Sequence, residues 1–194
     1  MTSTIFTRPA GDRLRAGLTA ALLMTAALAL SLWLAGCAKA PVQGPQRLKA
    51  GDTAPAFVLN DVAGGSEINA GKVFQDNAAT VVILWSMACP TCREALIDCQ
   101  RVYEQFDDKA MAFVGINFDQ ENLQGVRAFL KAEGITFQNV WDARARVTRA
   151  YRALDYTFSV FVVDSGAKVL LAQYDHPPDL AAVLSKTLDG LLVK

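Results

Sequence analysis

Two cysteines, Cys89 and Cys92, are separated by only Pro90 and Thr91 in the 194-residue sequence. Two thiols at this spacing suit disulfide exchange, because one can attack a sulfur of a partner while the other resolves the mixed disulfide that forms. They also suit Cu(I), a soft metal ion that prefers thiolate ligands. This C-x-x-C pair is therefore the first candidate site, and the elements around it must distinguish the two chemistries.

The pair lies at the junction of a predicted strand and a predicted helix. The run Thr80–Met87 is apolar and rich in β-branched residues, which predicts a strand buried on both faces of a sheet. Across 90–107, apolar residues recur at spacings of three and four, which predicts an amphipathic helix with Cys99 in its core stripe. The unpaired N–H groups of a first helical turn stabilise a thiolate. Cys89 is therefore the predicted nucleophile and Cys92 the predicted resolving thiol.

The rest of the chain alternates strands and helices. Strands are predicted at Met111–Phe118 and Phe158–Asp164, and a turn with Gly166 joins the latter to a hairpin partner, "VLLAQY". Helical patterns cover 122–133 and the leucine-rich C-terminus. Alternating β and α elements predict an α/β domain with a central mixed sheet flanked by helices. This is the layout of a thioredoxin-like fold.

The N-terminus precedes this domain and has the pattern of an export signal. A basic start is followed by an uncharged apolar stretch that ends in "LAGC" at positions 34–37. This ending resembles the lipobox of bacterial lipoproteins, in which a peptidase cleaves before the cysteine and lipid is attached to it. The resemblance implies a signal peptide at 1–36, a lipidated tether at 37–51 that begins with Cys37, and a thioredoxin-like domain at 52–194. The alternative is a transmembrane anchor, since ~20 apolar residues span a bilayer.

Composition and the export signal narrow the possible functions. Acidic and basic residues number 19 each, so the chain lacks the basic excess typical of nucleic-acid binders. The single histidine, His176, excludes a multi-histidine metal site within one chain. An exported domain faces the bacterial cell envelope, or the periplasm where an outer membrane is present, and disulfides persist there. The expected partners are therefore envelope proteins with thiols or disulfides, together with the membrane through the lipid on Cys37.

Three pieces of the sequence carry a resemblance to a known family: the lead-in "GDTAPAFVLNDVAGG", the C-x-x-C pair and "FVVDSGAKVL". From about Gly51 onward the chain resembles the TlpA/ResA-type thioredoxin-like oxidoreductases of the redoxin superfamily. The resemblance implies a redox-active disulfide without a further cofactor, with Cys89 as nucleophile and Cys92 as resolving residue. It also implies partners such as apocytochromes or copper-site assembly factors.

The surroundings of the dithiol depart from that family. Ala88 stands where the family has Trp before the first cysteine, and Ala95 stands where it often has Glu. The loop that carries a cis-proline in the family has no proline here, and a cis bond without proline costs about 3 kcal/mol, so a trans or rearranged loop is expected. The predicted tuning and substrate-binding residues are Pro90, Thr91, Trp85, Thr157, Phe158 and Ser159.

Other functions remain open on the sequence. The segment "SMACPT" resembles the peroxiredoxin pattern T-x-x-C-P-T with Ser86 in the place of the first Thr, although Val82 replaces an expected proline. In that case Cys89 would attack a peroxide. Alternatively the thiols handle Cu(I), or the pair is a redox-inactive remnant or a structural disulfide. His176 is the only histidine that could assist a metal, and its two neighbouring prolines favour a solvated loop.

Overall fold

The computed structural model describes residues 46–106, 110–155 and 158–192. Within these ranges a five-stranded mixed sheet is covered by helices on both faces, and a short two-stranded ribbon precedes it. In chain order the elements are β1 (Val58–Asn60), β2 (Glu67–Asn69), α1 (Ala70–Asp76), β3 (Ala79–Trp85), α2 (Pro90–Phe106), β4 (Met111–Asn117), α3 (Leu123–Ala132), β5 (Gln138–Trp141), α4 (Arg146–Ala150), β6 (Phe158–Asp164), β7 (Val169–Tyr174) and α5 (Leu180–Leu192).

The strand order brings the carboxyl ends of the parallel strands together at the end of the sheet where the dithiol lies. The order is β5-β4-β3-β6-β7, in which β3, β4 and β5 are parallel while β6 is antiparallel to β3 and β7 to β6. Parallel strands end at the same edge, and an antiparallel neighbour begins there. The register accordingly aligns Trp85 at the end of β3 with Asn117 at the end of β4 and with Phe158 at the start of β6.

Alternation along the central strand separates two hydrophobic cores. Every residue of β3 is buried, because successive side chains point to opposite faces and both faces are covered. Ile83 and Trp85 face α2, α3 and α5, and this core includes Cys89. Leu84 faces the opposite core, which contains residues of α1 and of the β1–β2 ribbon together with Tyr151. The dithiol therefore belongs to the α2 side of the sheet.

The predicted α/β architecture is confirmed, with small differences at the ends of elements. The strand predicted at Thr80–Met87 ends at Trp85, because the next two residues turn away to make other hydrogen bonds. The C-terminal helix begins at Leu180, whose N–H donates to the carbonyl of Pro177, so Pro177 and Pro178, the two prolines after His176, precede the helix. Gly134 follows α3 with φ +64°, the left-handed conformation that glycine commonly adopts just after a helix end.

The N-terminal predictions lie mostly outside the described residues. The signal peptide at 1–36, Cys37 and the tether up to residue 45 are not described. Residues 46–51 of the predicted tether pack on the domain: Leu48 is buried, and Gly51 N–H donates to the carbonyl of Val169 at 2.8 Å. Within the described ranges, no helix is long and apolar enough to cross a membrane.

Candidate active site

Cys89 lies between the end of β3 and the start of α2, and the two thiols differ in exposure. The Cys89 side chain is 9% exposed, whereas Cys92 is fully buried. The Cys92 main-chain N–H donates to Cys89 Sγ at 3.1 Å, and Thr91 Oγ1 is also 3.1 Å from that sulfur. Both contacts can stabilise negative charge on Cys89, as expected for a thiol at a helix N-terminus. Of the two cysteines, the sequence-predicted nucleophile is therefore the more exposed residue, and the predicted resolving residue has no exposed surface.

The two residues between the cysteines form the surface around the nucleophile. Pro90 is the first residue of α2, where its missing N–H leaves no intrahelical bond unmade. Both Pro90 and Thr91 are exposed. A partner that approaches Cys89 would therefore meet these two side chains first.

Trp85 lies in the core rather than at the surface. It is fully buried, its ring centroid is 5.6 Å from that of Phe129 on α3, and its indole Nε1 donates to Asn139 Oδ1 at 3.1 Å. Trp85 therefore presents no surface that a partner could contact, and its role in tuning the dithiol stays a prediction. Its geometry is that of an anchor for the end of β3.

Two of the predicted site residues, Phe158 and Ser159, are neighbours on β6, and their side chains lie on opposite faces of the sheet. Phe158 packs in the same core as Cys89, but Ser159, which follows it on β6, must point to the opposite face. The Ser159 hydroxyl is fully buried and has no hydrogen-bond partner among the described residues. Direct substrate binding by Ser159 is therefore not supported. Thr157 lies outside the described residues, and the trans or rearranged loop stays a prediction.

His176 is not the solvated loop residue that its neighbouring prolines suggested. Its side chain is 16% exposed, and Nε2 lies 3.3 Å from Asp98 Oδ2 on α2. Its ring also packs edge-on against Phe158, with centroids 6.1 Å apart. His176 therefore ties the loop after β7 to α2. Across the described ranges, no group of three or more His, Cys, Asp or Glu side chains is arranged to hold a metal ion.

The third cysteine is a core residue, as predicted. Cys99 is fully buried on α2. Burial, and to a lesser extent the neighbouring Asp98 carboxylate, raises the pKa of the Cys99 thiol far above its ordinary value.

On the same helix Ala95 is also fully buried, while Glu94 is exposed. The glutamate therefore does not occupy the buried position that Ala95 fills.

Sequence reasoning missed a carboxylate beside the dithiol loop. Asp119 follows β4 and accepts hydrogen bonds from Ser86 Oγ at 2.5 Å and from the N–H of Met87 at 2.7 Å. Ser86 Oγ in turn accepts from the N–H of Ala88 at 3.1 Å. Both hydrogen-bonding directions of the Ser86 hydroxyl are thus in use, which weakens its predicted role as a peroxide ligand. The available signal was that parallel strands end at one edge, so residues after β3 and after β4 converge.

A recess opens beside the dithiol loop. It has a volume of about 500 Å³ and is lined by Met87, Ala88, Asp119, Val126 and the three residues after Asp119. Ala88, which is exposed, immediately precedes Cys89, so the recess is lined by the residue next to the nucleophile in sequence. The space is large enough to receive a side chain of a partner.

A mixed sheet with a C-x-x-C pair at the start of the helix after its central strand defines the class of thioredoxin-like proteins. Comparison with protein families makes the assignment more specific. The Redoxin family profile matches residues 49–185. This chain therefore belongs to the redoxin family.

The similar proteins include some that are named thiol-disulfide oxidoreductases and one that is named a peroxidoxin. The sporulation thiol-disulfide oxidoreductase A of Bacillus subtilis is 26% identical over 141 residues, which cover 72% of this chain and 79% of that protein. A thioredoxin-family thiol:disulfide interchange protein from Chlorobium tepidum TLS is 22% identical, with a TM-score of 0.61 over 73% of this chain and 97% of its own. Peroxidoxin BcpB from Mycobacterium tuberculosis is 20% identical, with a TM-score of 0.62 over 76% of this chain and 98% of its own. The two structures establish the thioredoxin-like fold, and the curated relative indicates a redox enzyme in general terms.

Proposed function

We propose that this protein is a thiol–disulfide oxidoreductase that exchanges disulfides with protein partners through Cys89 and Cys92. The observation that carries the proposal is the asymmetry of the two thiols. Cys89 is partly accessible and accepts a main-chain hydrogen bond, whereas Cys92 is fully buried three residues further on. An accessible thiolate is suited to attack a partner, and a shielded thiol is suited to resolve the intermediate.

The reaction moves two electrons from the dithiol to the disulfide of a partner. The Cys89 thiolate attacks one partner sulfur, which forms a mixed disulfide and releases the other partner sulfur as a thiolate. Cys92 then loses its proton and attacks the sulfur of Cys89, which forms the Cys89–Cys92 disulfide and releases the second partner thiolate. Each released thiolate takes up a proton. The dithiol is itself the redox group, so the proposed reaction requires no further cofactor, and a thiol reductant must regenerate it.

A thiol peroxidase is the second candidate, because Cys89 is followed by Pro90 and Thr91 and a peroxidoxin shares the fold. In that reaction the Cys89 thiolate would attack one peroxide oxygen and break the O–O bond, so that the other oxygen leaves as water or an alcohol and Cys89 becomes a sulfenic acid. The Cys92 thiol would then attack the Cys89 sulfur, which forms the disulfide and releases water. The engaged hydroxyl of Ser86 does not favour this reaction. Protein disulfide exchange remains the function that the geometry supports best.

The two candidates are separated by supplying each substrate alone. We expect the reduced protein to catalyse the reduction of insulin disulfides with dithiothreitol as the electron source, and to consume hydrogen peroxide no faster than free dithiothreitol does. Rapid peroxide consumption without insulin reduction would replace the proposal by the peroxidase. If insulin is reduced, the reduction potential of the Cys89–Cys92 pair, measured by equilibration with glutathione, shows in which direction electrons flow. It tells whether the pair acts as a reductant or as an oxidant at a given ratio of reduced to oxidised glutathione.

The proposal includes a location outside the cytoplasm, in the bacterial cell envelope, with lipid attached to Cys37. Its support is the "LAGC" sequence at 34–37, which follows an uncharged apolar stretch. We expect labelled palmitate to be incorporated into the wild-type protein in a bacterial host and not into Cys37→Ala. The matched control Cys99→Ala should be labelled normally, because that thiol is fully buried in the domain. Equal labelling of wild type and Cys37→Ala would exclude lipid attachment at this residue.

A further inference from the structure

We propose that Asp119 and Ser86 form a positioning pair that holds the segment Ser86–Ala88 and thereby fixes Cys89 at the start of α2. Neither residue was predicted to have this role from the sequence. The functional meaning of the pair rests on the proposed disulfide exchange. Its physical effect on Cys89 can be measured without any partner protein.

The Asp119 carboxylate matches the donors that surround it. Oδ1 accepts from the hydroxyl of Ser86 at 2.5 Å, while Oδ2 accepts from the N–H of Met87 at 2.7 Å and from Asn117 Nδ2 at 2.8 Å. A carboxylate has only acceptors, so it can satisfy all three donors at once. An amide in its place would offer an acceptor on one side only. Hydrogen bonds to an ionised acceptor are also stronger than neutral ones.

Asp119 is itself held by the sheet. Its main-chain N–H donates to Asn117 Oδ1 at 3.2 Å, and its carbonyl accepts from Trp141 Nε1 at 2.7 Å. Asn117 is the last residue of β4 and is fully buried, and Trp141 is the last residue of β5. The carboxylate is therefore fixed to two strands. The Asp119 carboxylate thereby connects the segment Ser86–Ala88, which no longer pairs in the sheet, to the ends of β4 and β5.

The loop depends on this pair for its main-chain hydrogen bonds, while the Met87 side chain packs against the core. After Trp85, the next N–H groups no longer lie in the β3 strand, and those of Met87 and Ala88 are satisfied by Asp119 and Ser86 respectively. Ala88 has only a methyl group and cannot anchor the segment by packing. Cys89 follows directly, and the hydrogen bond from Cys92 N–H to its sulfur requires that its main chain stay in place. The pair therefore acts on the nucleophile through the backbone.

The test is the rate at which iodoacetamide alkylates Cys89 in the reduced, full-length protein at neutral pH, followed by peptide mass. We expect Ser86→Ala, which changes no charge, to slow the reaction about fivefold, the effect of roughly one hydrogen bond. Ser86→Thr keeps the hydroxyl and should restore the rate. Asp119→Asn should be slower than Asp189→Asn, a control that makes the same substitution at an exposed residue of α5. The double variant Ser86→Ala/Asp119→Asn should be little slower than the slower single variant, because the two residues act as a unit.

The outcomes separate this proposal from the proposed function and from a purely structural role. Alkylation at the wild-type rate in both Ser86→Ala and Asp119→Asn, in folded protein, would overturn the positioning role even if insulin is reduced normally. Slower alkylation in a protein that reduces no disulfide would support the pair while the proposed function fails. A lower unfolding midpoint with an unchanged alkylation rate would show that the pair only stabilises the fold. If Asp119→Asn does not fold, Ser86→Ala and Ser86→Thr decide the question.

Discussion

Replacing Cys89 with serine is expected to lower the rate of insulin-disulfide reduction by on the order of 10³-fold or more, as the loss of a catalytic nucleophile does. A serine hydroxyl is not ionised at neutral pH and forms no mixed disulfide, so the first step of the exchange has no attacking group. The main-chain N–H of Cys92 and the hydroxyl of Thr91 would remain next to the new hydroxyl. The measurement is the initial rate at saturating dithiothreitol. A Cys89→Ser variant that keeps most of its activity would refute the assignment of the nucleophile.

Two companion variants make this result specific to the dithiol. Cys92→Ser should retain the first chemical step and accumulate a mixed disulfide between Cys89 and its partner, visible on a non-reducing gel. Cys99→Ala removes a thiol from the same helix, and we expect the rate to stay within about twofold of wild type, because that thiol is fully buried and is kept protonated by its raised pKa. A large loss of rate in Cys99→Ala would indicate that the third thiol takes part in the exchange.

The predicted elements were found because their signals are local. The unbroken apolar run of β3 predicted a strand covered on both faces, and all of its residues are buried. The dithiol was found for the same reason, since both thiols and the helix start lie within one short segment. Local periodicity indicates which residues are apolar and in which element they lie. It does not indicate which side chains from distant segments meet.

The parts of the site that were missed are long-range contacts. Ser86 meets Asp119 across a separation of 33 residues, and His176 meets Asp98 across 78. Neither distance is encoded in a motif, and each depends on strand order and register. Ser159 was assigned to the site because it adjoins a loop near the dithiol, but one step along a strand turns a side chain to the opposite face. Predicting its orientation would have required the register of β6 in advance.

Strand register also explains how the Trp85 side chain is held in the core. Its indole N–H donates to Asn139 Oδ1, and Asn139 lies opposite Gly115 in the β4–β5 ladder. A Cβ on Gly115 would overlap the Asn139 side chain, with only 2.8 Å to the amide carbon Cγ. The glycine therefore makes room for the amide that accepts from the indole. Trp85, Asn139 and Gly115 form one packed unit under the end of β3, from which the dithiol loop departs.

Trp85→Ala is expected to lower the free energy of unfolding by about 3–5 kcal/mol, the usual cost of truncating a large buried aromatic side chain. Trp85→Phe should cost about 1–3 kcal/mol, because the ring is largely kept while the buried Asn139 oxygen loses its donor. Both are measured by urea unfolding, and Leu154→Ala, at a side chain 47% exposed, serves as a control with a change within about 0.5 kcal/mol. A domain of this kind is stable by roughly 5–15 kcal/mol, so at the lower end of that range the alanine variant would lie close to unfolding. A loss below about 1 kcal/mol in Trp85→Ala would mean that Trp85 does not anchor the core.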